Sequence, residues 1–156
     1  MQFDHLAIQI PHGSLNNTVL WYTDFFGCKT NWSQYSSFQP LTLQRVPGIQ
    51  SIVELECAIF RFHLFERSNI QESVLMNHIQ NHHLGFSVNN SIGIQEIKTK
   101  WSKLYHSKKY IFVDGTYITE SIVDDVGVES IYFTDVNGLE FEVTYVPQSS
   151  KEREYQ

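Results

Sequence analysis

The chain is poor in basic charge, in cysteine and in long apolar runs. Its 11 lysines and arginines are outnumbered by 17 acidic residues, for a formal net charge of −6, so we expect no basic surface for a phosphate backbone. No segment reaches the roughly 18 apolar residues that a membrane-spanning helix needs. The sequence also contains no GxSxG turn and no phosphate-binding glycine loop. These absences argue against a nucleic-acid partner, a membrane span, and serine or phosphoryl chemistry.

Only two cysteines are present, Cys28 and Cys57, and neither stands beside a histidine or in a metal-type pair. Two thiols in a chain of this size are typical of a reducing compartment rather than of a secreted disulfide scaffold. The first ten residues place Asp4 and His5 where a signal peptide has a basic region and a long apolar run. We therefore expect a cytoplasmic protein whose cysteines are buried, unreactive thiols.

What the sequence does contain is an internal repeat. The 156 residues are 42% hydrophobic and 18% charged, which is enough apolar material for a folded core in one domain or two small modules. The segment DHLAI at 4–8 matches HHLGF at 82–86, at an offset of 78 residues, and each opens an alternating strand. The chain is therefore expected to fold as two similar halves.

Each half continues with a helical pattern. Val19, Tyr22 and Phe26 recur at helical spacing before Gly27, a residue type that commonly follows the last turn of a helix. In the second half the same period runs over residues 94–105. We predict one helix in each half, after the opening strand.

Short β-rich runs bounded by turn residues follow each helix. The sequence thus predicts an α+β fold of two βαβββ modules, at 1–66 and 81–147, whose curved mixed sheets surround a cleft lined by matching positions of both halves. Residues 67–80 are expected to connect the modules, and 148–156 to form a polar tail. The predicted later strands are KTNWSQYSSF, LTLQRV and two stretches of SIVELECAIFRFHLFE in the first half, and KYIFV, TYITESIV, VESIYF and LEFEVTYV in the second.

Four residues with metal-binding side chains occupy matching places in the two halves. His5 and His83 have the same register in the opening strands, and His63 aligns with Glu142 in the last strands. Neutral imidazole and carboxylate are ligands that borderline divalent cations prefer, and two histidines with one carboxylate leave positions open for substrate, water or oxygen. The pattern indicates a metal site in the cleft.

The segments DHLAI, HHLGF, WYTDFFG and IYFTDVNGLEFEV together resemble the vicinal oxygen chelate superfamily, over residues 3–146. That superfamily includes glyoxalases, bleomycin-resistance proteins, extradiol dioxygenases and methylmalonyl-CoA epimerases. The resemblance implies a divalent metal ion, Fe(II), Zn, Ni or Mn, bound by His5, His83 and Glu142, and a homodimer that takes a small-molecule substrate. His63 falls on a position that several members use for a fourth ligand and that can equally line the pocket.

Strand parity assigns further side chains to the cleft. Glu140 shares the parity of Glu142, and Arg61 that of His63. Both are therefore candidates for contacting an anionic or enolic group, Glu140 as a catalytic residue and Arg61 as a substrate-binding one, with an ion pair at the rim as the alternative. Glu66 lies on the other side of its strand and is expected to be solvated.

The aromatic residues are assigned mainly to the core. Trp21 and Tyr22 lie at helical spacing with other apolar residues, which favours burial over a flat ligand site. Tyr132 and Phe133 are neighbours in one strand, so only one of them can face the cleft, and the pattern does not decide which.

Two functions remain open at this point. One is a metal-dependent enzyme that chelates a small substrate through adjacent oxygens, either dioxygenase-like or a glyoxalase-like lyase or isomerase. Within it, Val136 stands where the superfamily motif usually has proline, which weakens the assignment to the ring-cleaving dioxygenases. The alternative is a metal-free protein of the bleomycin-resistance type that sequesters a small molecule.

Overall fold

A computed structural model describes residues 4–58, 60–68, 83–125 and 127–148. The chain divides into two compact units, Met1–His78 and Ile79–Gln156. Most of the expected connector and nearly all of the expected tail lie outside the described residues, so the module boundaries given above stay predictions.

The first unit is a four-stranded mixed sheet in the order β1-β4-β3-β2, with a long helix on one face. β1 runs parallel to β4, and the other neighbours are antiparallel. Its elements are β1 (Leu6–Pro11), α1 (Leu15–Phe26), β2 (Lys29–Gln34), α2 (Pro40–Arg45), β3 (Ile49–Cys57) and β4 (Phe60–Arg67).

The second unit repeats this arrangement. Its sheet order is β5-β8-β7-β6, again with the opening strand parallel to the last one. The α+β fold with two βαβββ repeats and curved, unclosed sheets is therefore confirmed. The elements are β5 (Leu84–Ser87), α3 (Ser91–His106), β6 (Ile122–Val123), β7 (Glu129–Thr134) and β8 (Glu140–Tyr145).

The helices and their aromatic residues form the cores, as predicted. Trp21 and Tyr22 of α1 are fully buried, and the Tyr22 ring meets Phe62 of β4 edge-on at 5.0 Å between centroids. Gly27 follows α1 with a φ of +74°, a left-handed conformation that costs glycine little. In the second unit, Trp101 of α3 packs on the sheet and donates its indole N–H to the backbone oxygen of Thr134 at 2.9 Å.

Two predicted strands are wrong. LTLQRV belongs to α2, which has Pro40 in its first turn, a position that suits a residue without an N–H. Leu41 and Leu43 are exposed, so their alternation does not mark a buried strand face. KYIFV forms no strand: Ile111 is 80% exposed, and the backbone N–H of Val113 donates to Val136 in the turn before β8.

The expectation that Glu66 is solvated is also wrong. Its residue exposure is only 9%, and its carboxylate accepts hydrogen bonds from the Gly13 N–H at 2.7 Å and the Ser51 hydroxyl at 2.8 Å. The alternating burial of β4 places Glu66 with Phe62 and Leu64, on the face that the helix covers. Glu66 therefore ties the loop between β1 and α1 to the sheet.

The cysteines are buried, as expected, but they are not free thiols. Cys28 and Cys57 form a disulfide with Cα atoms 4.3 Å apart. The neighbouring residues Lys29 and Glu56 are paired across β2 and β3, so the strand register itself brings the two sulfurs together. Because disulfides are uncommon in the reducing cytosol, this bond counts against the argument from free thiols to a cytoplasmic location.

None of the helices in the described part of the chain combines the length and the apolar character needed to cross a bilayer.

The disulfide is expected to stabilise the first unit. Closing a loop with a sequence separation of 29 predicts a contribution of about 3.6 kcal/mol to the free energy of unfolding. Reductant should lower the urea midpoint of the wild-type protein and leave the Cys28→Ala/Cys57→Ala variant unchanged. Equal effects of reductant on both proteins would contradict the assignment.

Glu129 is expected to make stability depend on pH. Hydrogen bonds from the Ser121 and then the Ser91 hydroxyl lower the pKa of this carboxyl below its usual value of 4.5. Because the folded pKa lies below the unfolded one, the stabilisation is present at neutral pH and is lost as the pH falls below about 4.5. Glu129→Gln should cost about 1 kcal/mol at neutral pH and much less under acid conditions, as measured by urea unfolding. A pH-independent difference would refute this prediction.

Candidate metal-binding site

The predicted ligands lie in two groups, one in each unit. We call Asp4, His5, Glu54, Arg61 and His63 the His5 group, and His83, Tyr117, Tyr132, Glu140 and Glu142 the His83 group. Each group forms where the opening strand runs beside the last strand, since parallel pairing of β1 with β4 and of β5 with β8 aligns the two ends of the unit. Residues distant in sequence therefore become neighbours on one sheet face.

In the His83 group, the carboxylate of Glu142 is shared between two side chains. Its Oε1 accepts a hydrogen bond from the Tyr132 hydroxyl at 2.8 Å, while its Oε2 lies 3.0 Å from Nε2 of His83. Tyr132 is directly opposite Glu142 in the pairing of β7 with β8. The hydrogen bond to Glu142 also raises the pKa of Tyr132, so the phenol stays a donor at neutral pH. Tyr132 thus fixes the direction in which Glu142 points.

Glu140 stands on the other side of the His83 ring. Its Oε1 lies 3.7 Å from Nδ1 of His83, and its Oε2 accepts a hydrogen bond from the Tyr117 hydroxyl. That hydrogen bond raises the pKa of Tyr117 to about 12. The imidazole of His83 therefore has a carboxylate near each nitrogen, with Glu142 at Nε2 and Glu140 at Nδ1.

In the His5 group, Asp4 connects His5 to Arg61. Nδ1 of His5 lies 2.8 Å from Oδ2 of Asp4, and the Arg61 guanidinium donates to the other oxygen of Asp4. A second nitrogen of Arg61 lies 3.5 Å from Oε2 of Glu54. Arg61 is thus paired with two carboxylates, which fits the rim ion pair; its proposed contact with substrate stays a prediction.

His63 is held by Glu54, a residue that the sequence analysis did not select. The Nε2–H of His63 donates to Oε2 of Glu54 at 2.5 Å, and the side-chain amide of Asn31 donates to Oε1. The Glu54 side chain is only 4% exposed. The hydrogen bond from Asn31 is the largest influence on the pKa of Glu54 and lowers it; burial acts in the opposite direction, and the interaction with His63 adds to the lowering, so that the pKa lies below its usual value of 4.5. Glu54 is therefore a buried carboxylate that is ionised at neutral pH.

The donor chemistry of the His83 group fits a divalent metal ion. The 3.0 Å between His83 Nε2 and Glu142 Oε2 is close to the roughly 3 Å that separates adjacent ligand atoms around an ion with bonds of about 2.1 Å. Among the described residues, however, no three His, Cys, Asp or Glu side chains gather into a group that could hold a metal. The joint site of His5, His63, His83 and Glu142 therefore stays a prediction.

The structure settles which aromatic side chain of β7 faces this group. Phe133 is fully buried and stacks on Phe141, whereas Tyr132 contacts Glu142. The repeat offset of 78 also carries position 54 onto position 132, so a signal for Glu54 was present in the sequence. No comparable signal points to Tyr117, which lies in an irregular segment.

Comparisons with known proteins support the same fold. No protein-family model and no curated protein sequence matches the chain. Among solved structures it is similar to a glyoxylase/bleomycin resistance protein/dioxygenase domain from Frankia sp. EAN1pec, with a TM-score of 0.66, 13% identity, and coverage of 95% of this chain and 93% of that one. A glyoxalase family protein from Enterococcus faecalis has a TM-score of 0.64 and 17% identity over 92% of this chain and 96% of that chain.

A third similar structure is a point mutant of FosX, a fosfomycin resistance protein from Listeria monocytogenes, complexed with Mn(II) and 1S,2S-dihydroxypropylphosphonic acid. Its TM-score is 0.64, at 15% identity over 99% of this chain and 98% of that one. These proteins have the vicinal oxygen chelate fold, so the resemblance predicted from the sequence is confirmed at the level of fold.

Proposed function

We propose that the protein is a divalent-metal-dependent enzyme acting on a small substrate that carries two adjacent oxygen atoms. His5, His83 and Glu142 are the proposed metal ligands. The observation that carries this proposal is the His83 group, where an imidazole nitrogen and a carboxylate oxygen lie 3.0 Å apart on one sheet face. The binding of Mn(II) and a dihydroxy phosphonate by a point mutant of FosX, which has the same fold, supports it.

The side chains around the ligands have defined tasks in this proposal. The Tyr132 hydroxyl donates a hydrogen bond to Oε1 of Glu142, which leaves Oε2 of Glu142 directed at His83. Glu140 lies at Nδ1 of His83, where a carboxylate favours the Nδ1–H form and leaves Nε2 with a lone pair. The ion, when bound, would act as a Lewis acid towards the substrate oxygens. Glu140 is the proposed group for moving a proton on the substrate.

The reaction class is either dioxygenase-like or that of a glyoxalase-like lyase or isomerase. Oxygen uptake with Fe(II) and a catechol panel would identify the first. Conversion of a methylglyoxal–thiol adduct with Zn or Ni would identify the second. If the protein consumed fosfomycin in the presence of Mn(II), its similarity to FosX would include activity as well as fold. Val136, in place of the usual proline, favours the second class.

A homodimer is part of the same proposal, on the strength of the resemblance. Light scattering of the purified protein would give the oligomeric state. A monomer at all concentrations would remove the dimer from the proposal and leave the metal site intact.

The metal site is tested by Mn(II) affinity, measured by calorimetry. His83→Ala and Glu142→Gln each remove a ligand and should weaken Mn(II) binding by more than about 100-fold, whereas Tyr132→Phe should weaken it by about 10-fold because Glu142 is then less well oriented. The controls are His12→Ala and Glu96→Gln, which change exposed residues of the same types outside both groups.

If His83→Ala and Glu142→Gln both left the Mn(II) affinity unchanged, the proposed metal site would be wrong. If the wild-type protein binds no divalent ion but takes up a flat organic ligand, the metal-free binding function is the right one. The absence of a three-ligand group among the described residues is the observation in favour of that second candidate.

A further inference from the structure

The three histidines of the two groups are not held in the same way. His5 has its Nδ1 against Asp4, and His83 has its Nδ1 near Glu140. His63 is reversed, because its Nε2 donates to Glu54. Within the described residues, the structure shows no hydrogen bond to Nδ1 of His63. The ring of His63 therefore directs the opposite nitrogen away from its acidic partner.

The contact of His63 with His5 limits what His63 can bind. The two rings are stacked, with centroids 3.7 Å apart and planes inclined by only 14°. The lone pair of an imidazole nitrogen lies in the ring plane, so an ion about 2.1 Å from a nitrogen of His5 lies near that plane. Such an ion is then far out of the plane of the parallel His63 ring. Stacked in this way, the two histidines do not share one ion.

The residues around Glu54 show that this orientation is built into the sheet. Glu54 is opposite His63 in the pairing of β3 with β4. On its other side, the register of β2 shifts between Thr30 and Trp32, and the extra residue, Asn31, donates its amide to Glu54. Strand bulges re-aim side chains in this way beside functional sites. A buried carboxylate that accepts hydrogen bonds from Asn31 and His63 fixes both donors in place.

We propose that Glu54 is a positioning residue that fixes His63 by its Nε2–H, so that His63 stays outside the coordination of the ion held by His5 and presents Nδ1 as a hydrogen-bond acceptor to a substrate hydroxyl group. A neutral imidazole with Nε2–H has a lone pair and no proton at Nδ1, and it therefore selects a donor such as an alcohol. The coordination and hydroxyl parts of this inference rest on the proposed function; the orientation by Glu54 does not.

The orientation is tested in the metal-free protein by long-range ¹H–¹⁵N NMR of the histidine rings, at about pH 9, well above the ordinary histidine pKa of about 6.5. His63 should show a protonated Nε2 with a downfield, slowly exchanging proton. Glu54→Gln should move or abolish that proton signal, because the charged acceptor is gone. The control Tyr132→Phe, which removes the corresponding contact in the other unit, should leave it unchanged.

A His63 ring protonated at Nδ1, or a proton signal indifferent to Glu54→Gln, would overturn the orientation. His63→Gln provides a second variant that the site should accommodate, because the glutamine amide nitrogen can take the position of the histidine Nε2 and still donate to Glu54. The shorter side chain introduced by His63→Asn cannot bring its amide N–H to Glu54. Thermal unfolding should therefore show His63→Gln to be the more stable of the two variants, and the reverse order would contradict the pairing.

The coordination part is tested in the same spectra by adding Zn(II). The ligating nitrogens of His5 and His83 should shift strongly, and Nδ1 of His63 should not. A shift of Nδ1 of His63 together with His5 would make His63 a metal ligand and overturn this part of the inference. If neither His5 nor His83 shifts, the proposed function fails instead, and the result in the metal-free protein still decides the role of Glu54.

Discussion

The candidate site depends on one interaction, the parallel pairing of the first strand of each unit with its last strand. In the first unit this pairing aligns Ala7 with His63, and in the second it aligns Gly85 with Glu142. Hydrogen bonds between parallel strands fix this register, so each opening histidine is held beside a residue far along the chain. If the pairing in either unit shifted by one residue, His63 or Glu142 would turn to the helix-covered face of its sheet, and the group in that unit would no longer form.

In each unit, the strand paired with the last strand, β3 or β7, supplies the side chain that orients the last-strand residue of the group. Glu54 on β3 faces His63, and Tyr132 on β7 faces Glu142, at the same place in the two sheets. The chemistry is inverted between them: a carboxylate holds an imidazole in the first unit, and a phenol holds a carboxylate in the second. Both solutions follow from the need of half-buried polar groups for partners of matching donor and acceptor character.

The sequence predicted those features that periodicity encodes. The repeat, the two long helices and the end of the first helix at Gly27 all follow from spacing and residue type. Parity also divided β4 correctly into two sides, but it does not say which side a helix covers, and for that reason Glu66 was misplaced. The disulfide was missed because it depends on the register of β2 with β3, which the spacing of Cys28 and Cys57 does not reveal.

The charge differs between the two groups. In the His5 group, the guanidinium of Arg61 lies against both Asp4 and Glu54 and offsets part of their negative charge. In the His83 group, Glu140 and Glu142 accept hydrogen bonds from Tyr117 and Tyr132, which orient the carboxylates without neutralising them. Two carboxylates share one guanidinium in the His5 group, whereas the two carboxylates of the His83 group are held by phenols, so the His83 group is the more negative of the two. The repeated fold thus gives two side-chain groups of related geometry and different electrostatic character.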